Sequence, residues 1–224
     1  MNIIKACIFD LDGVIVDTAK YHYLAWKAIA DELGFDFTEE HNERLKGISR
    51  MASLDILLEI GGVSMSADDK NLLAEKKNNI YVDYINKMPK EEILPGVKDF
   101  LKELRSKGIR IALGSASKNA ISILNRLELL CMFDAIVDGN KVVNAKPDPE
   151  VFLRAASELL MIPVQCMVFE DAAAGVKAAK AAGMSCVGIG DPKILYEADM
   201  VIPGFEHIDI DTVLNAKKEL YSVL

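Results

Sequence analysis

The strongest constraint in this sequence of 224 residues is a set of short, nearly unbroken apolar runs: Ile3–Phe9, Ile109–Leu113, Ala135–Val137, Cys166–Phe169 and Cys186–Ile189. They are rich in Ile, Val and Phe and too short for helices. They also lack the strict apolar–polar alternation of a half-exposed strand. Such runs read as strands covered on both faces, as in a parallel sheet between two layers of helices. From residue 96 onward they alternate with helical segments. Val97, Phe100, Leu101 and Leu104 share one helical face that ends at Gly108, and Ala120–Leu130, Glu150–Leu160 and Ala172–Ala182 repeat the plan. This alternation predicts a doubly wound, Rossmann-like α/β sheet.

Residues 15–88 break the rhythm, with no convincing strand between Val16 and Met88. Tyr23, Trp26, Ile29, Ala30 and Leu33 form one helical stripe that ends at Gly34. Leu54, Leu57 and Leu58 predict a second helix stopped by Gly61-Gly62. Leu72, Leu73, Ile80, Val82 and Ile85 predict a third, with Ser66 and Asp68 as candidate caps. The expected organisation is therefore an α/β core of residues 1–14 and 89–224, with an all-helical cap of residues 15–88 inserted after the first strand.

Composition narrows the partners. With 34 Asp+Glu against 26 Lys+Arg the net charge is −8, which gives no long-range attraction to nucleic acid or an anionic membrane. Any phosphate must be held by local cations and backbone N–H groups. A hydrophobic content of 51% excludes a disordered chain. No run reaches the roughly 18 apolar residues of a membrane span, and the N-terminal stretch is interrupted by Asp10 and Asp12 too early for a signal peptide. The four cysteines show no CxxC or zinc spacing, and Cys7 and Cys166 sit in apolar runs as small hydrophobes. The expectation is a cytoplasmic protein with reduced cysteines, acting as a monomer on a small molecule.

Chemistry concentrates where the apolar runs end. Asp10-Leu11-Asp12-Gly13 follows the first strand, and ligands of open α/β sheets bind outside the carboxyl ends of their strands. If the chain stays extended, both carboxylates face one crevice, which suits a nucleophile paired with a general acid/base. A polar turn would use the same residue types. Gly114 and the run Ser115-Ala116-Ser117-Lys118-Asn119 follow the second strand. Small residues and hydroxyls at a helix start suit phosphate, although one serine alone would serve as a helix cap. Lys146 precedes Pro147 in a loop where a solvated lysine is the ordinary outcome. Glu170-Asp171 closes the fourth strand; these hard oxygen donors suit Mg²⁺, although Asp171 could instead cap the following helix. Each feature has a bland explanation alone. All four at strand ends together predict a phosphoryl-transfer site.

This series, in this order, resembles the haloacid dehalogenase superfamily of phosphotransferases over residues 3 to about 190. The resemblance implies Asp10 as the nucleophile that forms an aspartyl phosphate and Asp12 as the general acid/base. It implies Mg²⁺ held by the carboxylates of Asp10, Glu170 and Asp171 with the main-chain carbonyl of Asp12. Ser115 and Lys146 would hold the transferring phosphoryl oxygens. In the helical insertion, Lys46-Gly47-Ile48-Ser49-Arg50, Tyr21-His22 with Trp26, and Lys77-Asn78 are similar to the mutase branch of that superfamily. That similarity implies the interconversion of β-glucose 1-phosphate and β-glucose 6-phosphate, with β-glucose 1,6-bisphosphate as intermediate and activator. Arg50, Ser117 and Asn119 would then hold the non-reacting phosphate. Lys46 and Gly47 would contact the sugar, and His22 and Lys77 would link substrate binding to cap closure. Ala116 and Lys118 belong to the same phosphate loop. Trp26 stands between two roles, core packing and ligand contact, with core packing the stronger. The competing readings are a sugar-phosphate phosphatase of the same fold and, more remotely, a non-catalytic phosphosugar-binding module.

Overall fold

The computed structural model describes residues 4–45 and 48–216. Six strands, β1 (Ala6–Phe9), β2 (Arg110–Gly114), β3 (Ala135–Val137), β4 (Cys166–Glu170), β5 (Ser185–Ile189) and β6 (Met200–Ile202), form one sheet in the order β3-β2-β1-β4-β5-β6. All five pairings are parallel. The strand order reverses at β1, which places its carboxyl end at the topological switch point where ligands bind in sheets of this type.

The continuous apolar runs are explained by burial on both faces. On one face Cys7 and Phe9 of β1, with Met167 and Phe169 of β4, join a core that includes Phe100 and Phe205. On the other, Ala6 and Ile8, with Cys166 and Val168, pack against Phe152, Val176 and Ala179. The Phe9 and Phe169 rings stack with centroids 4.6 Å apart. Helices α5 (Val97–Ser106), α6 (Ala120–Arg126), α7 (Glu150–Glu158), α8 (Ala173–Ala181) and α9 (Ile210–Asn215) accompany the strands. Of the four cysteines only Cys131 is exposed.

Between β1 and α5 come α1 (Ala19–Leu33), α2 (Glu39–Glu43), α3 (Arg50–Gly61) and α4 (Ala67–Lys87). Trp26, Ile29, Leu54, Leu57, Leu58 and Leu73 form an apolar cluster of their own, apart from the sheet. The lower part of α4 is different: Tyr81 and Ile85 belong to the cluster that holds Val14, Ile15 and Val16. The helical insertion thus stands on the first loop of the core. Ser66 caps α4, and Gly34 and Gly62 close α1 and α3 in left-handed geometry.

Several local expectations are corrected. Leu72 is 66% exposed and lies off the buried stripe of α4, because the face turned inward is instead Leu73, Lys77, Tyr81 and Ile85. The helix expected over 120–130 stops at Arg126: Glu128 adopts a φ of 58°, and the Leu129 N–H returns to the Leu124 carbonyl. Two further short elements are found beyond those the sequence predicts. One is the five-residue α2, stabilised by a capping box between Thr38 and His41; the other is the edge strand β6. No helix among the described residues is long and apolar enough to cross a membrane.

Candidate active site

Asp10 is the first residue beyond β1, anchored by its N–H to the Phe169 carbonyl at 3.0 Å, and its side chain is almost fully buried. The chain then turns: the Ile15 N–H bonds the Leu11 carbonyl, and the Gly13 N–H bonds the Val16 carbonyl. Gly13 is required here, since its φ is 75° and a Cβ would lie 2.0 Å from Asp171 Oδ2. The turn keeps Asp10 and Asp12 lining one cavity of about 680 Å³, within the usual size of a small-molecule site. The Thr18 hydroxyl donates to Asp12 Oδ1. Burial, aided by the neighbouring Asp10 carboxylate, raises the Asp12 carboxyl to about 6, against the opposing pull of Thr18, Lys146 and Lys77. A carboxyl in that range both gives and accepts a proton near neutrality.

Around this pair the other strand ends converge. The Ser115 N–H bonds the Val137 carbonyl, and Ser115 itself is buried. Its hydroxyl oxygen accepts from the Ser117 N–H at 3.1 Å, and the Ser117 hydroxyl oxygen accepts from the Asn119 N–H at 3.3 Å. The serines therefore shape the loop and do not cap α6, whose start has no side-chain cap. Ser115, Ala116, Ser117, Lys118 and Asn119 all line the cavity.

Lys146 is no solvated loop residue. It is 3% exposed, and its Nζ donates to Asp10 Oδ1 at 2.6 Å and to Glu170 Oε2 at 2.8 Å. Burial works against its charge, yet the two carboxylates hold its pKa above the ordinary lysine value. Glu170 is fully buried, and burial raises its carboxyl while Lys146 opposes the shift. Both are packed against Asp10, which itself lines the cavity. A Cβ on Gly175 would sit 2.0 Å from Glu170 Cδ, so a bare α8 backbone leaves the glutamate its place.

Carboxylate oxygens of Asp10, Glu170 and Asp171 lie within 4.8 Å of one another. This all-oxygen donor set fits a hard divalent cation. That Lys146 already bonds two of the three confirms that the cluster attracts positive charge. The Asp12 carboxylate is turned to Thr18 and is not part of this group, so only its main-chain carbonyl is left to serve a metal. Asp171 does not cap α8, whose N-cap is Ala172 with no side-chain cap bond.

The helical insertion supplies cations. His22 and Trp26 on α1 face Lys77 and Tyr81 on α4, each pair four residues apart and so on one helical face. Lys77 is 2% exposed, with its Nζ 2.9 Å from His22 Nδ1 and 4.7 Å from both the Trp26 and Tyr81 ring centroids. Burial, with the charge of Arg50, lowers the Lys77 ammonium to about 7, although Asp12 pulls the other way. Burial and the same two cations push His22 well below the usual imidazole value. Trp26 packs in the apolar cluster and also lines the cavity. Arg50 opens α3 and donates through Nη2 to Asn78 Oδ1 at 2.7 Å. Lys46 and Gly47 lie outside the described residues.

Three residues at the site carried no assigned role in the sequence. Thr18 holds Asp12, Asn78 joins Arg50 to Asn119, and the buried Tyr81 covers Lys77. The signals available in the sequence were weak: Asn78 adjoins Lys77, and a threonine just ahead of the α1 stripe reads as a helix cap.

A buried carboxylate beside a carboxyl raised toward neutrality, at the switch point of a parallel sheet and faced by basic side chains of the helical insertion, is an arrangement suited to phosphoryl transfer. Residues 4–183 match the haloacid dehalogenase-like hydrolase family, and the chain belongs to it. Over 221 residues the chain is 43% identical to β-phosphoglucomutase of Bacillus subtilis, covering 98% of this chain and 97% of that one. The crystal structure of β-phosphoglucomutase from Clostridium difficile superimposes with a TM-score of 0.92 at 44% identity, covering 97% of this chain and 98% of the other. A phosphorylated carbohydrates phosphatase of Thermotoga maritima is 33% identical, over 96% of this chain and 99% of that one.

Proposed function

We propose that this enzyme is a mutase interconverting β-glucose 1-phosphate and β-glucose 6-phosphate through β-glucose 1,6-bisphosphate, with residues 15–88 acting as a cap on a core of residues 1–14 and 89–224. The observation that carries this reading is the composition of one cavity. It is lined by the carboxyl pair Asp10 and Asp12 and also by hydrogen-bond donors suited to a phosphate, Arg50, Ser117 and Asn119. A phosphatase needs one phosphate subsite; a bisphosphate intermediate needs two in the same enclosure. The similarity to β-phosphoglucomutases extends over both parts of the chain and supports the same substrate.

In this reading an Asp10 carboxylate oxygen carries the phosphoryl group as an aspartyl phosphate. A sugar hydroxyl attacks that phosphorus while Asp12 takes the hydroxyl proton, and the bond to Asp10 breaks. The bisphosphate turns end for end, because each of its ends is an anion that either subsite accepts. Asp10 then takes the other phosphoryl group, and Asp12 returns the proton to the departing sugar oxygen. Ser115 and Lys146 hold the transferring phosphoryl oxygens, Lys146 by sharing its ammonium between Asp10 and the group bound there. Asp10, Glu170, Asp171 and the Asp12 carbonyl would hold Mg²⁺, which when bound supplies positive charge to offset the anionic phosphoryl group. Arg50, Ser117 and Asn119 grip the phosphate that does not react, and Lys46 and Gly47 contact the sugar. His22 and Lys77 tie that grip to the cap, which keeps water from the aspartyl phosphate.

The test incubates the protein with Mg²⁺, β-glucose 1-phosphate and a trace of β-glucose 1,6-bisphosphate, and follows sugar phosphates and inorganic phosphate together. The expected result is β-glucose 6-phosphate with little free phosphate. Stoichiometric release of inorganic phosphate would establish the second reading, a sugar-phosphate phosphatase like the Thermotoga relative.

A further inference from the structure

Asn78 carries no assigned role, yet its Oδ1 is where two donors from different parts of the fold converge. Arg50 Nη2 reaches it from the start of α3 at 2.7 Å, and Asn119 Nδ2 reaches it from the loop beyond β2 at 2.9 Å. These are two of the three residues assigned above to the non-reacting phosphate. A guanidinium and an amide N–H aimed at a single oxygen reproduce the environment of a phosphate oxygen. The guanidinium gains no opposite charge from this bond. Its partner is a neutral amide, and burial alone shifts the Arg50 pKa, downward.

We propose that Asn78 is an internal stand-in for the distal phosphate, so that a ligand must take Arg50 and Asn119 away from its amide oxygen in order to bind. This rests on the reading of Arg50 and Asn119 given above. The competition makes Asn78 a specificity-determining residue. A neutral hydroxyl offers the two donors nothing better than an amide oxygen, so it leaves the bridge in place. A phosphate dianion offers charge-assisted bonds, which are stronger, and displaces it. The bridge also joins the helical insertion to the core, so its exchange for phosphate reports ligand identity across that boundary without new contacts elsewhere.

An isosteric pair of variants tests the idea. Asn78→Asp keeps both donors satisfied and the bridge intact but makes the competitor an anion. It should raise the KM for β-glucose 1-phosphate at least tenfold while kcat stays within twofold. Asn78→Ala removes the competitor and should not raise KM. Asn78 is only half-buried on a helix surface, and thermal unfolding of both variants checks that each is folded. An unchanged KM in Asn78→Asp would mean a merely structural bridge, and a KM rise in Asn78→Ala equal to that of Asn78→Asp would mean that Asn78 only positions Arg50; either outcome overturns the proposal. Should the wild type prove to be a phosphatase, inhibition of acetyl phosphate hydrolysis by glucose 6-phosphate supplies the same comparison. The inhibition constant should then follow the order predicted for KM, so failure of the mutase reading stays separate from failure of this one.

Discussion

Lys146 and Lys77 are equally buried, at 3% and 2% exposure, and they are held in opposite ways. Lys146 lies between two carboxylates, which keep it charged against the cost of burial. Lys77 has an imidazole nitrogen and two aromatic faces, and its pKa falls to about 7. Arg50 follows the pattern of Lys77, donating to an amide. The core side of the cavity thus holds its ammonium in ion pairs before any ligand arrives, whereas on the cap side Lys77 and Arg50 hydrogen-bond neutral partners. Catalytic groups need fixed geometry, which ion pairs in a sheet provide. Cap residues need a reason to respond to substrate, and a cation hydrogen-bonded to a neutral partner is one.

The largest break in this comparison is at the core side. Asp10→Asn removes the proposed nucleophile and should lower kcat by about 10⁴-fold or more with the circular dichroism spectrum unchanged. A retained rate would refute the nucleophile assignment.

Removing the core cation should cost stability. In Lys146→Ala, Asp10 and Glu170 stay buried without their ammonium, and the metal-free protein should lose about 3–5 kcal/mol in denaturant titrations. Mg²⁺ should restore more stability to this variant than to the wild type. If the variant matches the wild type without metal, the Lys146 ion pairs do not hold the core side together.

On the cap side the effect belongs to substrate recognition. Arg50→Ala should reduce kcat/KM for the sugar phosphate by about 10- to 100-fold, the value of one or two charge-assisted hydrogen bonds. It should affect a small aryl phosphate much less, and equal losses on both would remove Arg50 from the distal subsite.

The smallest effect concerns protons. Above pH 7 the Lys77 amine is mostly neutral, and a bound phosphate favours its charged form, so binding at pH 8 should take up a proton. Calorimetry in buffers of different ionisation enthalpy measures that uptake. Lys77→Met should abolish it, while Lys76→Ala should not. Lys76 lies one residue away in a solvent-exposed ion pair with Glu32, and its loss should change stability by no more than about 0.5 kcal/mol.

How legible the site was depended on how local each signal is. Asp10 and Asp12 stand two apart, and Glu170 and Asp171 are adjacent, so the strand that carries them also announces them. Lys146 needed the strand ends to be read together. Asn78 was visible as a neighbour of Lys77 but without a purpose, because its partners lie 28 and 41 residues away. Thr18 reads as a helix cap, and only the folded turn shows its hydroxyl spent on Asp12. Leu72 misled for the same reason: a helical stripe shows which residues share a face, and the neighbouring helices decide which face turns inward.

The sequence by itself determined the parallel sheet, the helical insertion and the acid pairs at the strand ends. These follow from periodicity and burial over windows of a few residues, which the chain carries locally. Tertiary structure alone decided that β1 would lie between β2 and β4, that Lys146 would be paired with carboxylates and Lys77 with an imidazole, and that Asn78 would accept from Arg50 and Asn119. Charge and hydrogen bonding act over a few ångströms in space. The partners they select are set by the packing of distant segments, and no local pattern in the chain records it.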